Sequence, residues 1–340
     1  MRIAVVGAGA IGGYLGARLS LAGNEVTFIA RGANLNAIRQ NGMTLIEEDG
    51  AKRVAYAAVA ATAAEAGKHD LVLLAVKAPQ VSALASELPA LFGPETPILT
   101  LQNGIPWWFF YKLPGDYEGQ IVRSADPTGS IARHIENRRV MGAVVYPASA
   151  LIAPAVVKVV EGNRFTLGEP DGVHTARIER VADSFTRAGF KAPVSTDIRS
   201  EIWLKLWGNL VFNPVSALTH ATLDEICAFE PTRALAAVMM EEAKQVAEKL
   251  GIRIRISIDK RIAGAAAVGR HKTSMLQDVE AGRALELDAL IGSIVELARL
   301  TDTPTPAVDA IHACAALLAK TLAASEGRLQ IEPIERRCPP

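Results

Sequence analysis

A glycine-rich turn near the start of the chain constrains its fold more than any other feature. Gly7, Gly9 and Gly12 directly follow four apolar residues at 3–6, and a segment with helical periodicity continues to Ala22. A short apolar run suits a buried parallel strand. In this context the first glycine allows a tight turn, the second lets the backbone approach a pyrophosphate, and the third allows close helix–strand packing. The pattern predicts a strand–turn–helix unit that binds a dinucleotide at the helix N-terminus.

The end of the second predicted strand, residues 25–30, indicates which dinucleotide is bound. An NAD site has an Asp or Glu there, which accepts a hydrogen bond from the ribose hydroxyl. This chain has Arg31 instead, and a guanidinium at that position can pair with the 2′-phosphate of NADP. The sequence therefore favours NADP (NADPH) as cofactor. The alternative is a solvated surface arginine.

Further apolar runs alternate with helical segments and predict a parallel, doubly wound sheet. The predicted strands include residues 71–76 and 98–101, with helical segments at 35–41 and 81–91. Strands joined by helical crossovers form parallel sheets covered by helices. Residues 140–145, 156–160 and 165–167 are predicted to extend this sheet, and 171–188 to form another helix. Residues 111–134 hold several Pro and Gly residues, which indicates an irregular excursion.

Helical patterns dominate after residue 198. The predicted helices are residues 198–213, 223–229, 232–250, 259–268, 275–300 and 307–324. Thr222 with Glu225, and Ser274 with Gln277, have the spacing of a capping box. The predicted fold class is an α/β N-terminal Rossmann-type doubly wound sheet plus an all-α C-terminal domain. We expect an NADP-binding domain at 1–192, a helical substrate and catalytic domain at 193–326, and a flexible tail at 327–340.

Composition and charge exclude several classes of function. The 340 residues contain 36 Lys and Arg and 36 Asp and Glu, so no basic excess points to nucleic acid or an anionic membrane. The longest uncharged stretch, residues 140–157, is interrupted by Pro147 and Pro154 and does not suit a membrane span. Three separated cysteines and six scattered histidines indicate neither a disulfide framework nor a metal site. We expect a cytoplasmic protein without a signal peptide.

Polar residues also follow two other predicted strands. Lys77 comes directly after residues 71–76, and Gln102-Asn103-Gly104 follows residues 98–101. Doubly wound sheets bind ligands at the carboxyl ends of their strands. We therefore expect Lys77 and Asn103 to border the site, the alternative being that both are solvated.

The second half contains a polar ridge in an apolar helix. Residues 202–213 are nearly all apolar, and the polar members Lys205, Asn209 and Asn213 recur every four residues, which places them on one helix face. Buried polar groups need partners, and a ligand is one candidate. The alternative is the exposed stripe of an amphipathic helix. Pro214 disfavours the helical conformation at the preceding residue, so we expect the helix to end there.

Taken together, these motifs resemble the ketopantoate reductase (2-dehydropantoate 2-reductase) family over residues 1–324. The remaining matching motifs are Trp203-Leu204-Lys205-Leu206, Ser274-Met275-Leu276-Gln277-Asp278 and Glu286-Leu287-Asp288. The resemblance implies NADPH-dependent reduction of 2-dehydropantoate to (R)-pantoate, a step in pantothenate synthesis. Residues 107–134 depart from the family, whose compact members are shorter here, and this leaves the exact 2-keto acid open.

The resemblance also implies roles for individual residues. Lys205 would be the general acid that protonates the carbonyl oxygen as hydride arrives, and Glu286 would accept a hydrogen bond from the substrate hydroxyl. The implied substrate-binding residues are Asn103, Asn209, Asn213 and Ser274. The implied cofactor-binding residues are Gly7, Ala8, Gly9, Ala10, Ile11, Gly12, Arg31, Lys77 and Asn103. No metal is implied, the partner is a small 2-keto acid, and a homodimer is left open.

The spacing of Ser274 and Glu286 tests this assignment. On one straight helix, twelve residues would separate them by about 18 Å, too far for a small keto acid to touch both. We therefore predict that Gly282 interrupts the helix, with a new helix starting near Leu285. Alternatively, Glu286 is a helix charge paired with Arg283.

Three functional hypotheses follow. The first is ketopantoate reduction. The second is NADPH-dependent reduction of another 2-keto or 3-keto acid, and the third is a non-catalytic NADP-binding regulator. A lysine positioned as proton donor argues against the third, since sensing needs no such group.

Overall fold

The computed structural model describes residues 1–325, in which the alternating pattern of the first half becomes two sheets. The strands are β1 (Arg2–Val6), β2 (Glu25–Ile29), β3 (Met43–Ile46), β4 (Lys52–Ala55), β5 (Ala58–Ala60), β6 (Leu71–Leu74), β7 (Ile98–Thr100), β8 (Val140–Val145), β9 (Ala148–Ala153), β10 (Val156–Glu161) and β11 (Phe165–Gly168). The larger sheet has seven strands in the order β11-β8-β7-β6-β1-β2-β5. Its pairs are parallel except β11 with β8, which confirms the α/β doubly wound class.

Helices cover this sheet and make up the second half of the described chain. They are α1 (Ala10–Leu21), α2 (Gly32–Asn41), α3 (Ala63–Ala66), α4 (Ala78–Leu84), α5 (Ser130–His134), α6 (Ala176–Arg187), α7 (Ile198–Thr219), α8 (Leu223–Ala228), α9 (Glu230–Lys249), α10 (Ile258–Ala266), α11 (Ser274–Glu280), α12 (Ser293–Leu300) and α13 (Pro306–Ala324). The predicted helix at 81–91 is divided into α4 and a 3₁₀ turn at Leu88–Leu91. By length and composition α13 is apolar enough to cross a membrane, the one such helix within residues 1–325.

The smaller sheet, in the order β4-β3-β10-β9, was not predicted. The prediction that residues 156–160 extend the main sheet is wrong. These residues belong to β10, which pairs with β3 in parallel and with β9 in antiparallel orientation. The inner face of this sheet packs on α1: a Cβ at Gly13 would lie 2.7 Å from Val157 and 3.3 Å from Met43. Short strands with mixed polar and apolar residues carry too weak a pattern for their pairing to be inferred from sequence.

The excursion between β7 and β8 is ordered by its aromatic residues. Trp108, Phe109 and Phe110 are buried, and the indole Nε1 of Trp108 donates a hydrogen bond to Thr100 Oγ1 over 3.1 Å. The two phenylalanine rings meet edge to face with centroids 5.4 Å apart. Residues 107–110 are therefore part of a packed core, although no regular element contains them.

Arg199 in the first turn of α7 fastens this excursion to the helix. Its Nε donates to the carbonyl oxygen of Phe109 over 2.7 Å, and its other nitrogens donate to the carbonyl oxygens of Tyr111 and Pro170. The residue is 6% exposed. Burial lowers the pKa of Arg199 to about 10, so the guanidinium stays charged at neutral pH and all three carbonyls keep a cationic donor.

The prediction that α7 ends before Pro214 is wrong, since the helix continues to Thr219. Proline has no N–H to donate to the carbonyl of residue 210, and its ring crowds the preceding turn, at a cost of about 3 kcal/mol. Val211, Phe212 and Val215 around it are buried. Their burial offsets this cost, because a buried apolar side chain contributes about 2 kcal/mol.

The predicted interruption at Gly282 is confirmed. Helix α11 ends at Glu280, Gly282 adopts a φ of +63°, and the next helical residues are a π-helical turn at Asp288–Gly292 that leads into α12. The new helical segment begins later than expected near residue 285. The cap of α11 is also one residue earlier than predicted: Thr273 Oγ1, not Ser274, accepts from the N–H of Leu276.

Packing divides the described residues into two units. The first contains Met1–Leu206, Ala247–Ile254 and Asp288–Glu296, and the second contains Trp207–Val246, Arg255–Leu287 and the chain from Leu297 onward. The first holds both sheets, and the second has no strand among residues described by the structure. This division falls within α7, whereas the domain boundary after residue 192 stays a prediction. The predicted tail at 327–340 lies outside the described residues.

We predict that Gly12→Ala destabilises the first unit by about 3 kcal/mol or more, because a Cβ there would lie 1.9 Å from the carbonyl oxygen of Gly7 and 2.9 Å from Ala75. The matched control is Gly9→Ala, whose Cβ would have no neighbour within 4 Å. Urea unfolding followed by circular dichroism measures the difference. Equal unfolding midpoints for the two variants would contradict the packing role of Gly12.

Candidate active site

Four residues predicted for the site lie along one edge of the main sheet. Five adjacent strands end there, and each carries one element of the site. In the order of the sheet, these are Val145 at the end of β8, Asn103 after β7, Lys77 after β6, Gly7 after β1 and Arg31 after β2. The carboxyl ends of parallel strands are where such sheets bind ligands.

The glycine-rich turn has the geometry expected for a dinucleotide. Gly7 adopts a φ of +101°, which a residue with a side chain rarely adopts. The space beside the Cα of Gly9 is open, and α1 begins after Gly9 without any side-chain cap. The first N–H groups of a 12-residue helix therefore have no side-chain acceptor at its N-cap, as a pyrophosphate site requires. Ala10 and Ile11 supply the first two of them.

A cavity of about 470 Å³ extends from this turn. It is lined by Val6, Gly7, Ala8, Gly9, Ile29, Ala30, Arg31, Asn34, Val76, Pro79, Gln80, Ala83 and Leu84. Its walls thus combine the glycine turn, the end of β2 and one face of α4. This lining fits a pyridine dinucleotide, because the backbone turn can meet the phosphates and the apolar residues can meet a ring.

Arg31 occupies the position at which NAD and NADP are distinguished. It is the N-cap of α2, its side chain is 64% exposed, and its Nη2 lies 3.1 Å from Oε1 of Glu87. The guanidinium therefore lies at the rim of the cavity, within reach of solvent and of a bound anion. The sequence analysis does not predict this contact, because Glu87 is 56 residues from Arg31 along the chain and belongs to no motif.

Two glutamines fix the neighbouring strand ends. Gln102 Nε2 donates to the carbonyl oxygens of Leu74 and Val76 over 2.8 and 2.9 Å, which ties the end of β7 to that of β6. Gln80 Oε1 accepts from the backbone N–H of Lys77 over 3.2 Å at the start of α4. Lys77 is thus the N-cap of α4 at the expected sheet edge.

Asn34 is a residue of the site that sequence reasoning missed. Its amide nitrogen donates to the carbonyl oxygen of Ala8 in the glycine turn, and its Oδ1 accepts from the N–H of Ala155 over 2.6 Å. It therefore connects the turn to the loop between β9 and β10. One asparagine among the three of a polar helix gives no sequence signal for such a contact.

Lys205 and Asn103 form a direct hydrogen bond at the other end of the sheet edge. The Nζ of Lys205 lies 2.7 Å from Oδ1 of Asn103 and also donates to the carbonyl oxygen of Val145. The lysine is half-buried. Although 102 residues apart, these two predicted residues meet in the first unit, and the ammonium is held by two oxygen acceptors.

The backbone beside Asn103 is fixed by close packing. Gly104 has a φ of +90°, and a Cβ on it would lie 1.9 Å from the carbonyl oxygen of Ala289. The same oxygen accepts from the N–H of Ile105 over 3.0 Å. Only glycine fits here, so the third residue of the Gln-Asn-Gly motif sets the position of the second.

The helical unit carries the remaining predicted residues. Asn209 is half-buried and Asn213 is 5% exposed, so an exposed stripe does not account for this ridge of α7. A Cβ at Gly208 would lie 1.8 Å from a guanidinium nitrogen of Arg261, which therefore packs directly on α7. Sequence reasoning missed Arg261, because only packing brings α10 to this helix.

Ser274 and Glu286 lie on either side of the interruption at Gly282. Ser274 is exposed in the first turn of α11, and Glu286 is half-buried in the segment that follows the helix. Arg283 forms its ion pair with Asp278 over 2.7 Å. Because the helix is broken between them, Ser274 and Glu286 are not held apart by the length of one straight helix. The roles of both residues stay predictions.

Metal chemistry has no candidate ligand cluster in the described part of the chain. Within residues 1–325, no group of three or more His, Cys, Asp or Glu side chains is arranged to hold an ion.

Comparison with known proteins agrees with the geometry. Residues 3–108 match the family model for ketopantoate reductase PanE/ApbA, and residues 197–319 match its C-terminal model. A 2-dehydropantoate 2-reductase of Mesorhizobium japonicum is 50% identical over 94% of this chain and 98% of its own length.

Solved structures show the same relationship. A putative ketopantoate reductase from Ralstonia solanacearum is 42% identical with a TM-score of 0.90, covering 94% of this chain and 98% of its own. A PanE/ApbA family ketopantoate reductase from Ralstonia eutropha is 28% identical with a TM-score of 0.82, covering 95% and 100%. This chain therefore belongs to the ketopantoate reductase family of pyridine-nucleotide-dependent oxidoreductases.

Proposed function

We propose that the protein reduces 2-dehydropantoate to (R)-pantoate with NADPH, a cytoplasmic step of pantothenate synthesis. The observation that carries this proposal is the hydrogen bond between Lys205 Nζ and Asn103 Oδ1 at the ligand-binding edge of the sheet. The relationship to the reductase of Mesorhizobium japonicum supports the substrate. Arg31 at the end of β2 supports NADPH over NADH.

NADPH, when bound, supplies the hydride that is transferred to C2 of the keto acid. The carbonyl oxygen gains negative charge as this occurs and needs a proton donor within hydrogen-bond distance. Lys205 is proposed to donate that proton from Nζ. Asn103 Oδ1 and the carbonyl oxygen of Val145 hold the ammonium at the edge of the sheet where the substrate is proposed to bind. The neutral amine then regains a proton from solvent.

The substrate contacts are proposed from the family pattern. Asn209 and Asn213 on α7 would hydrogen-bond the substrate, with Asn103 bridging it to the nicotinamide. Ser274 would bind its carboxylate, and Glu286 would accept from its hydroxyl. Lys77 would contact the cofactor at the start of α4. A homodimer stays a prediction.

The direct test is the loss of NADPH absorbance when purified protein and 2-dehydropantoate are mixed. Rapid turnover is expected. Turnover of a different 2-keto or 3-keto acid alone would indicate a related reductase, and tight NADPH binding without any turnover would indicate a regulator. Either result would contradict the proposed function.

We predict that Lys205→Ala lowers kcat by about 10²–10⁴-fold, because removing a general acid has this effect. NADPH affinity should stay within about twofold of the wild type, since the lysine protonates the substrate and not the cofactor. Steady-state kinetics and NADPH titration measure the two quantities. Lys158→Ala is the matched control, because this exposed lysine lies on β10 outside the site. Undiminished turnover in Lys205→Ala would exclude it as the proton donor.

We predict that Arg31→Asp weakens NADPH binding by about 100-fold and NADH binding far less. The substitution removes a cation that hydrogen-bonds the 2′-phosphate, and a hydrogen bond to a charged group is worth about 1.5–3 kcal/mol. It also adds an anion that repels the phosphate. Dissociation constants for both nucleotides, obtained from nicotinamide fluorescence, measure the effect. Equal losses for the two cofactors would show that Arg31 does not recognise the phosphate.

A further inference from the structure

The guanidinium of Arg31 already has an anionic partner within the protein. Its Nη2 lies 3.1 Å from Oε1 and 3.4 Å from Oε2 of Glu87, so both carboxylate oxygens share one nitrogen. The two side chains are 64% and 39% exposed. This ion pair is therefore open to solvent, and a bound anion can reach the same guanidinium.

Glu87 is held in place by the backbone that precedes and follows it. Its N–H donates to the carbonyl oxygen of Leu84 over 2.9 Å, and its own carbonyl oxygen accepts from the N–H of Ala90 over 3.2 Å. It thus joins the end of α4 to the 3₁₀ turn at Leu88–Leu91. Because Ala83 and Leu84 line the cavity, the carboxylate is held at its rim.

Arg31 supplies the only charge among the residues that line this cavity in the described chain. The carboxylate of Glu87 offsets that charge from outside the lining. A 2′-phosphate that binds Arg31 must share the guanidinium with the carboxylate and lie near its negative charge. A ribose 2′-hydroxyl carries no charge, so it leaves the ion pair intact.

We propose that Glu87 is a specificity-determining residue that, through its ion pair with Arg31, lowers the preference of the site for NADPH over NADH. This inference rests on the proposed recognition of the 2′-phosphate by Arg31. An exposed ion pair changes a dissociation constant by at most about fivefold, so the carboxylate moderates the selectivity and does not reverse it.

The test is a double-mutant cycle on the full chain, with dissociation constants for NADPH and NADH as readout. Glu87→Gln keeps the shape of the side chain and removes its charge. We expect it to bind NADPH about threefold to fivefold tighter than the wild type, and NADH unchanged within about twofold. In an Arg31→Gln background, the same substitution should give a smaller gain. Raising the salt concentration should reduce the gain, because exposed charges are screened.

The matched control is Glu65→Gln, a change of the same charge at a side chain that is 50% exposed and 3.8 Å from Arg39. It should leave both dissociation constants unchanged. Its remaining amide oxygen can still accept from the N–H of Ala61.

Unchanged or weaker NADPH binding in Glu87→Gln would overturn the inference, and so would an equal gain in the presence and absence of Arg31. Because the readout is binding, these results are distinct from a failure of the proposed reaction. Wild-type protein that binds NADPH but does not reduce 2-dehydropantoate would refute only the proposed function. Wild-type protein that does not bind NADPH would refute both.

Discussion

The ammonium of Lys205 is held by acceptors at the ends of two neighbouring strands, and several surrounding contacts fix the positions of these acceptors and of the helix that carries the lysine. Asn103 follows β7, Val145 ends β8, and the pairing of these strands brings the two oxygens together. Gly104 allows the backbone turn behind Asn103, and Arg199 anchors the helix that carries the lysine. A cation that is half-buried must have such acceptors, because burial without them would disfavour its charged form.

The proposed recognition of the cofactor depends on two different kinds of contact. At the glycine turn, the backbone itself faces the cavity, and the absence of side chains keeps the helix N-terminus accessible. At the rim, a single exposed cation and its carboxylate partner are the proposed means of distinguishing NADPH from NADH. The first contact depends on close packing and tolerates little change. The second lies in solvent, where charges are screened and small adjustments of affinity leave the fold unaffected.

The sequence predicted those parts of the molecule that local patterns determine. The strand–turn–helix unit at Gly7–Gly12 follows from residue types within one segment, as does the interruption at Gly282. The second sheet, the contacts of Asn34 and the ion pair of Glu87 depend on residues distant in sequence, which no local pattern encodes. At Pro214 a local pattern gave the wrong prediction. Proline disfavours a helix at the preceding residue, but the burial of its neighbours keeps α7 helical through this position.

The first unit is discontinuous, and this affects how the chain can fold as it is synthesised. Ala289 accepts the hydrogen bond from Ile105, and the carboxylate of Glu296 accepts from the N–H groups of Arg123 and Ser124 over 2.7 Å. These acceptors leave the ribosome long after the sheet does. The hydrogen bonds that these acceptors give to the excursion therefore form only after residues 289–296 have been synthesised. Completion of the first unit thus depends on synthesis of the chain at least as far as Glu296.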